Sequence, residues 1–360
     1  MQGGVRDRTG ATRADHEGAS PKRQRSKRPL STDQGKNSDE LGMVSRDFQT
    51  AEICDSDPLT IRQALQQGTG ILSHMGVEGA RRDAEVLLSK VVGGGREKLY
   101  LNYDMSLEAS DINLFQHLLQ RRARREPISY ITGQREFWSL DFFVTPVVLV
   151  PRPETELLVE VALALMGQLD KHSRFKILDL GTGSGAIAVS FAKERSNAEI
   201  WATDLSSEAL DIARANVARH GLKKAIHFLQ GDLFEPVEGR QAFFHMVISN
   251  PPYVRRRELQ NLPPEVRDWE PQLALDGGLD GLDLHRRIIQ EGHLYLADGG
   301  FIALEIGPDM GDEVSRLFAS VGCYSEGSVY QDYAGRDRVV VARKLPRPLG
   351  LQIANCKSEI

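Results

Sequence analysis

The residues whose types most directly suggest chemistry are Asn250-Pro251-Pro252-Tyr253. They follow an apolar run at 243–248 that has the composition of a buried strand. Because proline has no backbone N–H and fixes φ, the two prolines must end strand pairing and hold Asn250 on a rigid turn. A rigidly held amide with an aromatic ring three residues on suits the binding of a planar amide or amine. A plain strand-terminating turn is the alternative interpretation.

A glycine-rich turn precedes that motif and joins an apolar run at 177–180 to a helix-prone segment. The residues of the turn are Gly181, Thr182, Gly183, Ser184 and Gly185. Glycines let backbone N–H groups approach a ligand closely, and the start of a helix adds a positive dipole end. Asp204 closes the next predicted strand, where a carboxylate can accept both hydroxyls of a ribose. These features predict a nucleoside-cofactor site, although such a turn also fits a dinucleotide fold.

Asp179, two residues before the first glycine, completes the spacing D-x-G-x-G-x-G. This spacing resembles motif I of the class I S-adenosylmethionine-dependent methyltransferases, and Asn250 to Tyr253 resembles motif IV of their amino-methylating members. Together the two resemblances favour S-adenosyl-L-methionine over a nicotinamide dinucleotide as the cofactor. The fold that they imply is α/β and Rossmann-like, with a seven-stranded, mostly parallel sheet.

The elements that must position these residues follow from the pattern after residue 175, where strand-like and helix-like segments alternate. This alternation predicts a parallel sheet with helices on both faces. Ser206 to His220 is predicted to be a helix that Ser206 caps and Gly221 ends. Strands are predicted at 177–180, 199–203, 225–229, 243–249, 300–306 and 336–343.

The rest of the chain divides into further predicted regions. Residues 1–55 are polar and glycine-rich with few large apolar side chains, which predicts a disordered tail. Residues 56–132 show helical spacing and predict a small helical bundle. The methyltransferase resemblance implies that this bundle serves substrate recognition. Short β-prone stretches at 133–150, the last of them Val147 to Val150, predict a hairpin linker. A methyltransferase domain at 151–345 and a flexible tail at 346–360 complete the expected order.

Two basic runs, at 22–28 and 121–125, carry most of the clustered positive charge. The second lies at the end of a predicted helix, where cations are favoured, so a solvated basic face is the simpler interpretation. A docking surface for an RNA-associated partner is the alternative. The net charge of −5 indicates no general attraction to nucleic acid.

The composition excludes several other classes of protein. The three cysteines, Cys54, Cys323 and Cys356, lack metal-ligand spacing, so no metal site is predicted and a reduced, cytoplasmic compartment fits. No apolar run approaches the length of a membrane span, and the first residues lack the apolar core of a signal peptide.

From about 58 to 343 the sequence resembles the HemK/PrmC family, the protein-(glutamine-N5) methyltransferases that act on peptide-chain release factors. The landmarks of the resemblance are the glycine turn, Asn250 to Tyr253, and the segments 126–133, 136–138, 150–156 and 269–271. A sibling family that methylates a glutamine of a ribosomal protein also carries the Asn-Pro-Pro-Tyr motif. Its helix-opening segment differs, whereas residues 152–156 of this chain are of the release-factor type.

The resemblance implies a reaction and its partners. The acceptor would be the side-chain amide nitrogen N5 of the glutamine in the GGQ motif of class 1 release factors, in support of translation termination. The enzyme would be a cytoplasmic monomer with no membrane and no direct nucleic-acid requirement. A glutamine methyltransferase of a ribosomal protein and a DNA or RNA amino-methyltransferase remain alternatives, although a base-flipping enzyme usually needs a basic groove or an added recognition domain. A fold kept only for docking is a further alternative, which failure to bind cofactor would favour.

The resemblance also implies roles for individual residues. The glycine turn should hold the methionine part of the cofactor, and Asp204 should bind the ribose hydroxyls. Asp232 and Leu233 should line the adenine pocket, where the family often has an aromatic side chain in place of Leu233. The residues that should hold the substrate glutamine are Asn250, Pro251, Pro252 and Tyr253, and Asn250 should also border the cofactor.

The chemistry of the acceptor explains why these residue types are suitable. A carboxamide nitrogen is a poor nucleophile because its lone pair is delocalised into the carbonyl. The Asn250 side-chain oxygen and the Pro251 backbone carbonyl can each accept one N–H of such an amide and orient its nitrogen. Orientation of this kind is worth about 7–11 kcal/mol of the barrier. Tyr253 is expected to pack over the amide plane, and a neutral Asn250 suits a neutral substrate.

Overall fold

The computed structural model describes residues 59–167, 174–222 and 225–346. These residues belong to one compact unit. The predicted tail at 1–55, the basic run at 22–28 and, apart from Pro346, the predicted tail at 346–360 lie outside the described residues. In the part of the chain that is described, no helix combines the length and the apolar character needed to cross a bilayer.

A group of helices precedes the sheet. Their bounds are α1 (Ile61–His74), α2 (Ala80–Val92), α3 (Arg96–Leu101), α4 (Ala109–Ala123) and α5 (Ile128–Thr132). Helix α1 begins at Ile61 because Thr60 and Gln63 form a capping box, in which each side chain accepts the other's backbone N–H. A Cβ added at Gly68 would lie 2.8 Å from the Phe115 ring, so α1 and α4 approach closely at this glycine.

An antiparallel hairpin, β1 (Gln134–Phe137) and β2 (Leu140–Phe143), follows the helices. The β-prone stretch at 147–150 is not a strand, which corrects that part of the prediction. Its three valines instead pack into or against the core, and the Val148 carbonyl accepts a hydrogen bond of 2.6 Å from the Tyr130 hydroxyl. The valines of this stretch are buried or partly buried without pairing in a sheet, and a buried strand has the same apolar composition.

One sheet follows, in the order β5-β4-β3-β6-β7-β9-β8. Its strands are β3 (Phe175–Leu180), β4 (Ala198–Asp204), β5 (Ile226–Gln230), β6 (Phe244–Ser249), β7 (Leu296–Glu305), β8 (Ser328–Gln331) and β9 (Asp337–Arg343). Strands β3 to β7 pair in parallel, and β9 runs antiparallel between β7 and β8. The predicted seven-stranded, mostly parallel sheet is confirmed. Strand β8 was not predicted, since it is a short edge strand that is largely exposed.

The two faces of the sheet pack into separate apolar clusters, because successive strand residues point to opposite faces. On β3, Ile177 belongs to one cluster and Leu178 to the other. The helices of this part are α6 (Thr155–Met166), α7 (Ala186–Glu194), α8 (Ser207–Arg219), α9 (Pro264–Arg267), α10 (Asp283–Tyr295) and α11 (Gly311–Val321). Helix α8 is capped as predicted, because the Ser206 hydroxyl accepts the Ala209 N–H at 3.1 Å.

Three of the four arginines in the basic run at 121–125 (Arg121, Arg122 and Arg125) form ion pairs within the chain, and Arg124 is exposed, which corrects most of the simpler interpretation of a solvated face. Arg122 is buried and binds Asp83 of α2 at 2.7 Å and Glu265 of α9 at 3.0 Å. Arg125 binds the other oxygen of Glu265 at 2.8 Å. A buried guanidinium is tolerated only when it is paired, so these acids explain the arginines. The contacts connect α4 to residues 254–282, which we call the post-motif segment.

Candidate active site

The predicted site residues converge at one edge of the sheet. Strand β3 pairs with β4 on one side and with β6 on the other, and Leu180 lies opposite both Thr203 and Ser249. The glycine turn follows β3 and Asn250 follows β6, while Asp204 is the last residue of β4. Because the strands are parallel, their carboxyl ends lie at the same edge, which is where open α/β sheets bind ligands.

The glycine turn has the backbone conformation that its composition predicts. Gly181, Gly183 and Gly185 have φ values of 68°, 55° and 79°, in the left-handed region that disfavours other residues. A Cβ added at Gly181 or Gly183 would meet no atom within 4 Å, so the turn borders open space. Thr182 and Ser184 are buried, and the Thr182 hydroxyl donates to Asp179 at 2.6 Å. The Thr182 side chain therefore braces the turn.

Asp179 is fully buried beneath the turn. Burial raises the pKa of Asp179 to about 7, and the nearby Asp204 adds to the rise, while the hydrogen bond from Thr182 opposes it. A carboxyl group with no exposed surface does not bind a ligand. Asp179 thus orders the turn from below.

Asp204 connects the glycine turn to the end of β4. Its Oδ2 accepts the Gly183 N–H at 2.8 Å, and its Oδ1 accepts the Ser206 N–H at 2.9 Å. Burial raises the pKa of Asp204, and these backbone hydrogen bonds oppose the rise. Each carboxylate oxygen has a further lone pair, so the group can still accept two hydroxyls. A partly exposed acid beside open space at Gly181 and Gly183 fits the ribose of a nucleoside cofactor.

Asp232 and Leu233 follow β5 on the same side of the sheet. The Asp232 carboxylate is paired with Arg287 of α10 at 2.7 Å, a partner that sequence reasoning missed because it lies 55 positions away. Leu233 has a positive φ of 45° and is buried among apolar residues. Its carbonyl accepts the Thr203 hydroxyl at 3.2 Å, which ties this turn to β4.

The motif after β6 presents its side chains to a different set of partners. The Asn250 Nδ2 donates to the Thr155 hydroxyl at 3.1 Å, and the Tyr253 hydroxyl donates to Glu305 Oε1 at 3.4 Å. Pro251 is buried, whereas Asn250, Pro252 and Tyr253 are partly exposed. Sequence reasoning singled out neither Thr155 nor Glu305 as a site residue. Thr155 lies in a landmark segment, but Glu305 had no sequence signal beyond its place at a strand end.

Glu305 is the last residue of β7 and has no exposed surface. Burial raises the pKa of Glu305 to about 7, a rise that hydrogen bonds from Thr155 and Tyr253 and the charge of Arg338 oppose. Burial, together with Glu305, also raises the pKa of Tyr253, so its phenol stays protonated.

The landmark segments that are distant in sequence meet beside this motif. Arg152 binds Glu270 Oε1 at 2.6 Å, and Glu270 Oε2 accepts the Val150 N–H at 3.3 Å. The Trp138 N–H donates to Glu156 Oε1 at 2.8 Å. Segments 136–138, 150–156 and 269–271 are thus one connected structure around the start of α6. Among the described residues, no group of three or more potential ligands is arranged to hold a metal ion.

Comparisons with known proteins agree with this geometry. Residues 63–133 match the family model of the PrmC N-terminal domain, and residues 160–262 match that of the methyltransferase small domain. The release factor glutamine methyltransferase of Moorella thermoacetica is 43% identical over 284 residues, covering 79% of this chain and 98% of that protein. The protein of the same name from Geobacter sulfurreducens is 41% identical over 284 residues, covering 79% and 96%.

Among solved structures, the release factor-specific protein-(glutamine-N5) methyltransferase from Alicyclobacillus acidocaldarius is 31% identical. The structural match covers 57% of this chain and 100% of that chain, with a TM-score of 0.35. The family assignment rests on the sequence relatives, because this superposition is loose.

The sheet order, the glycine turn and the acid at the end of β4 define a class I S-adenosylmethionine-dependent methyltransferase. With relatives above 40% identity along almost their whole length, the chain belongs to the release factor glutamine methyltransferase family. The resemblance read from the motifs is confirmed.

Proposed function

We propose that this enzyme methylates the side-chain amide nitrogen N5 of the glutamine in the GGQ motif of class 1 peptide chain release factors. The observation that carries the proposal is the orientation of Asn250. Its Nδ2 is engaged by Thr155, so its Oδ1 is left to accept an N–H from a neutral amide substrate. The names of the relatives supply the protein that bears this amide.

The proposed roles of the chain's residues follow from their positions. Asn250 Oδ1 and the Pro251 carbonyl accept the two N–H groups of the substrate amide, which orients its nitrogen. Pro252 keeps this turn rigid, and Tyr253 packs against the amide plane. S-adenosyl-L-methionine, when bound, supplies an electrophilic methyl group. The amide nitrogen becomes strongly acidic as its new bond forms, so no strong base is required.

The proposed cofactor contacts lie on the other side of the site. Asp204 binds the ribose hydroxyls, and Asp232 and Leu233 border the adenine. The residues proposed to hold the methionine part are Gly181, Thr182, Gly183, Ser184 and Gly185, with Asn250 at the boundary. Because Thr182 and Ser184 are buried, their contribution would come from the backbone.

The domain roles belong to the same proposal. Residues 56–132 would recognise the release factor, 133–150 would link, and 151–345 would carry out methyl transfer. The match of residues 63–133 to a PrmC N-terminal model supports a separate role for the helices. We propose that the enzyme acts as a monomer in the cytoplasm, where release factors work, and that it needs no nucleic acid.

Mass spectrometry of the GGQ peptide from a release factor, incubated with cofactor and with or without the enzyme, tests the proposal. A gain of one methyl group on the glutamine only with the enzyme is the expected result. Parallel incubations contain ribosomal proteins or nucleic acid. Methylation of a ribosomal glutamine, or of a base, in place of the release factor would overturn it. Residues 152–156, which are of the release-factor type, favour the first outcome.

A further inference from the structure

A polar network lies behind the Asn-Pro-Pro-Tyr motif. Strand β6 ends at Ser249, which lies opposite Leu304, so Glu305 of β7 is level with Asn250. Thr155, the first residue of α6, is also buried. Neither side chain is exposed enough to be a surface feature, and neither belongs to the motif. Their positions place a buried hydroxyl and a buried carboxyl beside the proposed acceptor site.

The contacts of the network converge on one carboxyl group. Asn250 Nδ2 donates to Thr155 Oγ1 at 3.1 Å, and the Thr155 hydroxyl lies near enough to the Glu305 carboxyl to lower its pKa as a donor. Glu305 Oε2 has no other hydrogen-bond partner among the described residues. Tyr253 reaches the same carboxyl group directly, at 3.4 Å from Oε1. Both polar side chains of the motif are therefore connected to Glu305, one through Thr155 and one without an intermediary.

The donors and acceptors allow only one direction of hydrogen bonding when Glu305 is ionised. A carboxylate has no proton to donate, so the single hydroxyl proton of Thr155 points to it. Thr155 can then only accept from Asn250, which must present its NH2 group to Thr155 and its Oδ1 to the opposite side. A side-chain amide turned by half a revolution has nearly the same shape, so shape alone does not select the orientation.

We propose that Glu305 and Thr155 are positioning residues that orient the Asn250 side-chain amide so that its oxygen faces the substrate amide. The proposal rests on the proposed function, because a substrate that supplies N–H donors requires an acceptor at this position. With the opposite orientation, two NH2 groups would face each other, and the substrate nitrogen would lose one of its two acceptors.

Kinetics of the full-length enzyme with an intact release factor test this role. Thr155→Val keeps the shape of the side chain and removes its hydroxyl. We expect kcat to fall about 10- to 100-fold, because a reacting group that is misplaced by a small distance loses rate by a factor of this size. Thr155→Ser keeps the hydroxyl and should restore kcat to within about threefold of wild type. The dissociation constant of S-adenosyl-L-methionine should stay within about twofold in both, since neither Thr155 nor Glu305 is among the proposed cofactor contacts.

Thr145→Val is the matched control, because the Thr145 hydroxyl is also buried but has no hydrogen-bond partner among the described residues. It should keep wild-type kcat. An unchanged kcat in Thr155→Val, a Thr155→Ser variant as impaired as Thr155→Val, or equal losses in the Thr145 control would overturn the proposal.

A measurement without substrate separates this proposal from the proposed function. In wild type, the side-chain NH2 protons of Asn250, assigned by NMR from their loss in Asn250→Asp, should exchange slowly with solvent. In Thr155→Val and in Glu305→Gln they should exchange at least about tenfold faster, since buried hydrogen bonds protect against exchange. Unchanged exchange in both folded variants contradicts the positioning role, whatever the substrate. A wild type that leaves release factor unmethylated contradicts the proposed function instead.

Discussion

The two sides of this site are formed by different kinds of chemical groups. On the proposed cofactor side, the glycine turn is contiguous in sequence, and Asp204 is held by backbone N–H groups of Gly183 and Ser206. On the proposed acceptor side, Asn250 is hydrogen-bonded to Thr155, 95 positions earlier, and Tyr253 to Glu305, 52 positions later. One side is shaped mainly by backbone and the other by side chains from distant parts of the chain.

This difference predicts different sensitivities. Ligand binding by backbone groups should be sensitive to substitution of a glycine, or of the one acid that those backbone groups hold in place. Catalysis that depends on hydrogen-bonded side chains should be sensitive to the loss of one hydroxyl group or to the protonation of one carboxylate. Changes on the cofactor side should therefore appear in cofactor affinity, and changes on the acceptor side in kcat.

Asn250→Ala should have the largest effect. We expect kcat to fall by about 10²–10³-fold, as when one preorganised polar group is removed from an active site. Cofactor affinity, measured by calorimetry, should stay within about threefold. Asn261→Ala, an exposed change in the post-motif segment, is the control. A cofactor affinity that falls as far as kcat would show that the two sides are not separate.

Asp204→Ala should weaken S-adenosyl-L-methionine binding by about 10- to 100-fold, because hydrogen bonds to a charged group contribute about 1.5–3 kcal/mol. At saturating cofactor, kcat should change little. Fluorescence or calorimetric titration measures the first quantity and steady-state kinetics the second. Asp211→Ala, which removes an exposed acid of α8, should change neither. A pure kcat defect in Asp204→Ala would assign this acid to the acceptor side.

Acidification should affect the acceptor side next. Burial raises the pKa of Glu305 to about 7, so its ionised form, which sets the direction of the network, is lost below that pH. At saturating cofactor, kcat at pH 6 should be about tenfold lower than at pH 8, following the ionised fraction. Glu305→Gln has no proton to gain and should give a nearly flat profile.

The groups around Glu305 do not alter that expectation. Tyr253 stays protonated, the charge of Arg338 lowers the pKa of Glu305, and Glu154 raises it. His285 binds the Glu305 backbone carbonyl, and burial lowers the pKa of His285 to about 4, so it is neutral at both values. A profile as steep in Glu305→Gln as in wild type would assign the pH dependence to another group.

The same shift has a consequence for stability. Because the pKa of Glu305 is raised on folding, its contribution is fully present below the ordinary carboxyl range and is lost as the pH rises through about 7. Glu305→Gln should therefore be more stable than wild type at pH 8, by about 2–3 kcal/mol, and similar at pH 4. Urea unfolding at the two pH values measures the difference. Equal differences at both would exclude the titration of Glu305 as the cause.

Glu265→Gln should have the smallest effect. Its ion pairs with Arg122 and Arg125 connect α4 to the segment that follows the acceptor motif. We expect the free energy of unfolding at pH 7 to fall by about 1 kcal/mol, which is near the upper end of the range for partly exposed ion pairs. Glu258→Gln, which removes longer and more exposed pairs, is the control and should cost less.

The pH dependence of Glu265→Gln has the opposite sign to that of Glu305→Gln. Burial alone would raise the pKa of Glu265, but hydrogen bonds from Arg125 and Arg122 outweigh it, so the pKa is lowered. The contribution of Glu265 is thus present above the ordinary carboxyl range and lost as the pH falls through the lowered value. The variant and wild type should converge in strong acid, and a difference that persists there would contradict the ion pairs as its origin.

Most of the sheet was predictable from sequence, because buried parallel strands are apolar runs bounded by turns. The predicted segments 199–203, 225–229 and 336–343 correspond to β4, β5 and β9 within a residue or two. The edge strand β8 gave no such signal, because its side chains are mostly exposed. The loop at 147–150 gave a false signal, since valines that fill a core look like valines that pair in a sheet.

The features of the candidate site also divide into those that the sequence predicted and those that it did not. The glycine turn and the Asn-Pro-Pro-Tyr motif were visible because their backbone conformations require particular residues at adjacent positions. The pairing of Asp232 with Arg287 and the burial of Arg122 between two acids were not, although each residue was seen. Nothing in the spacing of charged residues indicates which of many acids and bases will meet.

The sequence by itself determined the fold class, the glycine turn and the Asn-Pro-Pro-Tyr turn after β6, because glycine, proline and apolar periodicity act on the backbone locally. The tertiary structure alone decided that β7 lies beside β6 and that α6 begins against both. That arrangement brings Thr155 and Glu305 behind Asn250 and removes the carboxyl group from water. The direction of hydrogen bonding at Asn250 and the raised pKa of Glu305 both depend on burial, and burial is a property of the folded chain.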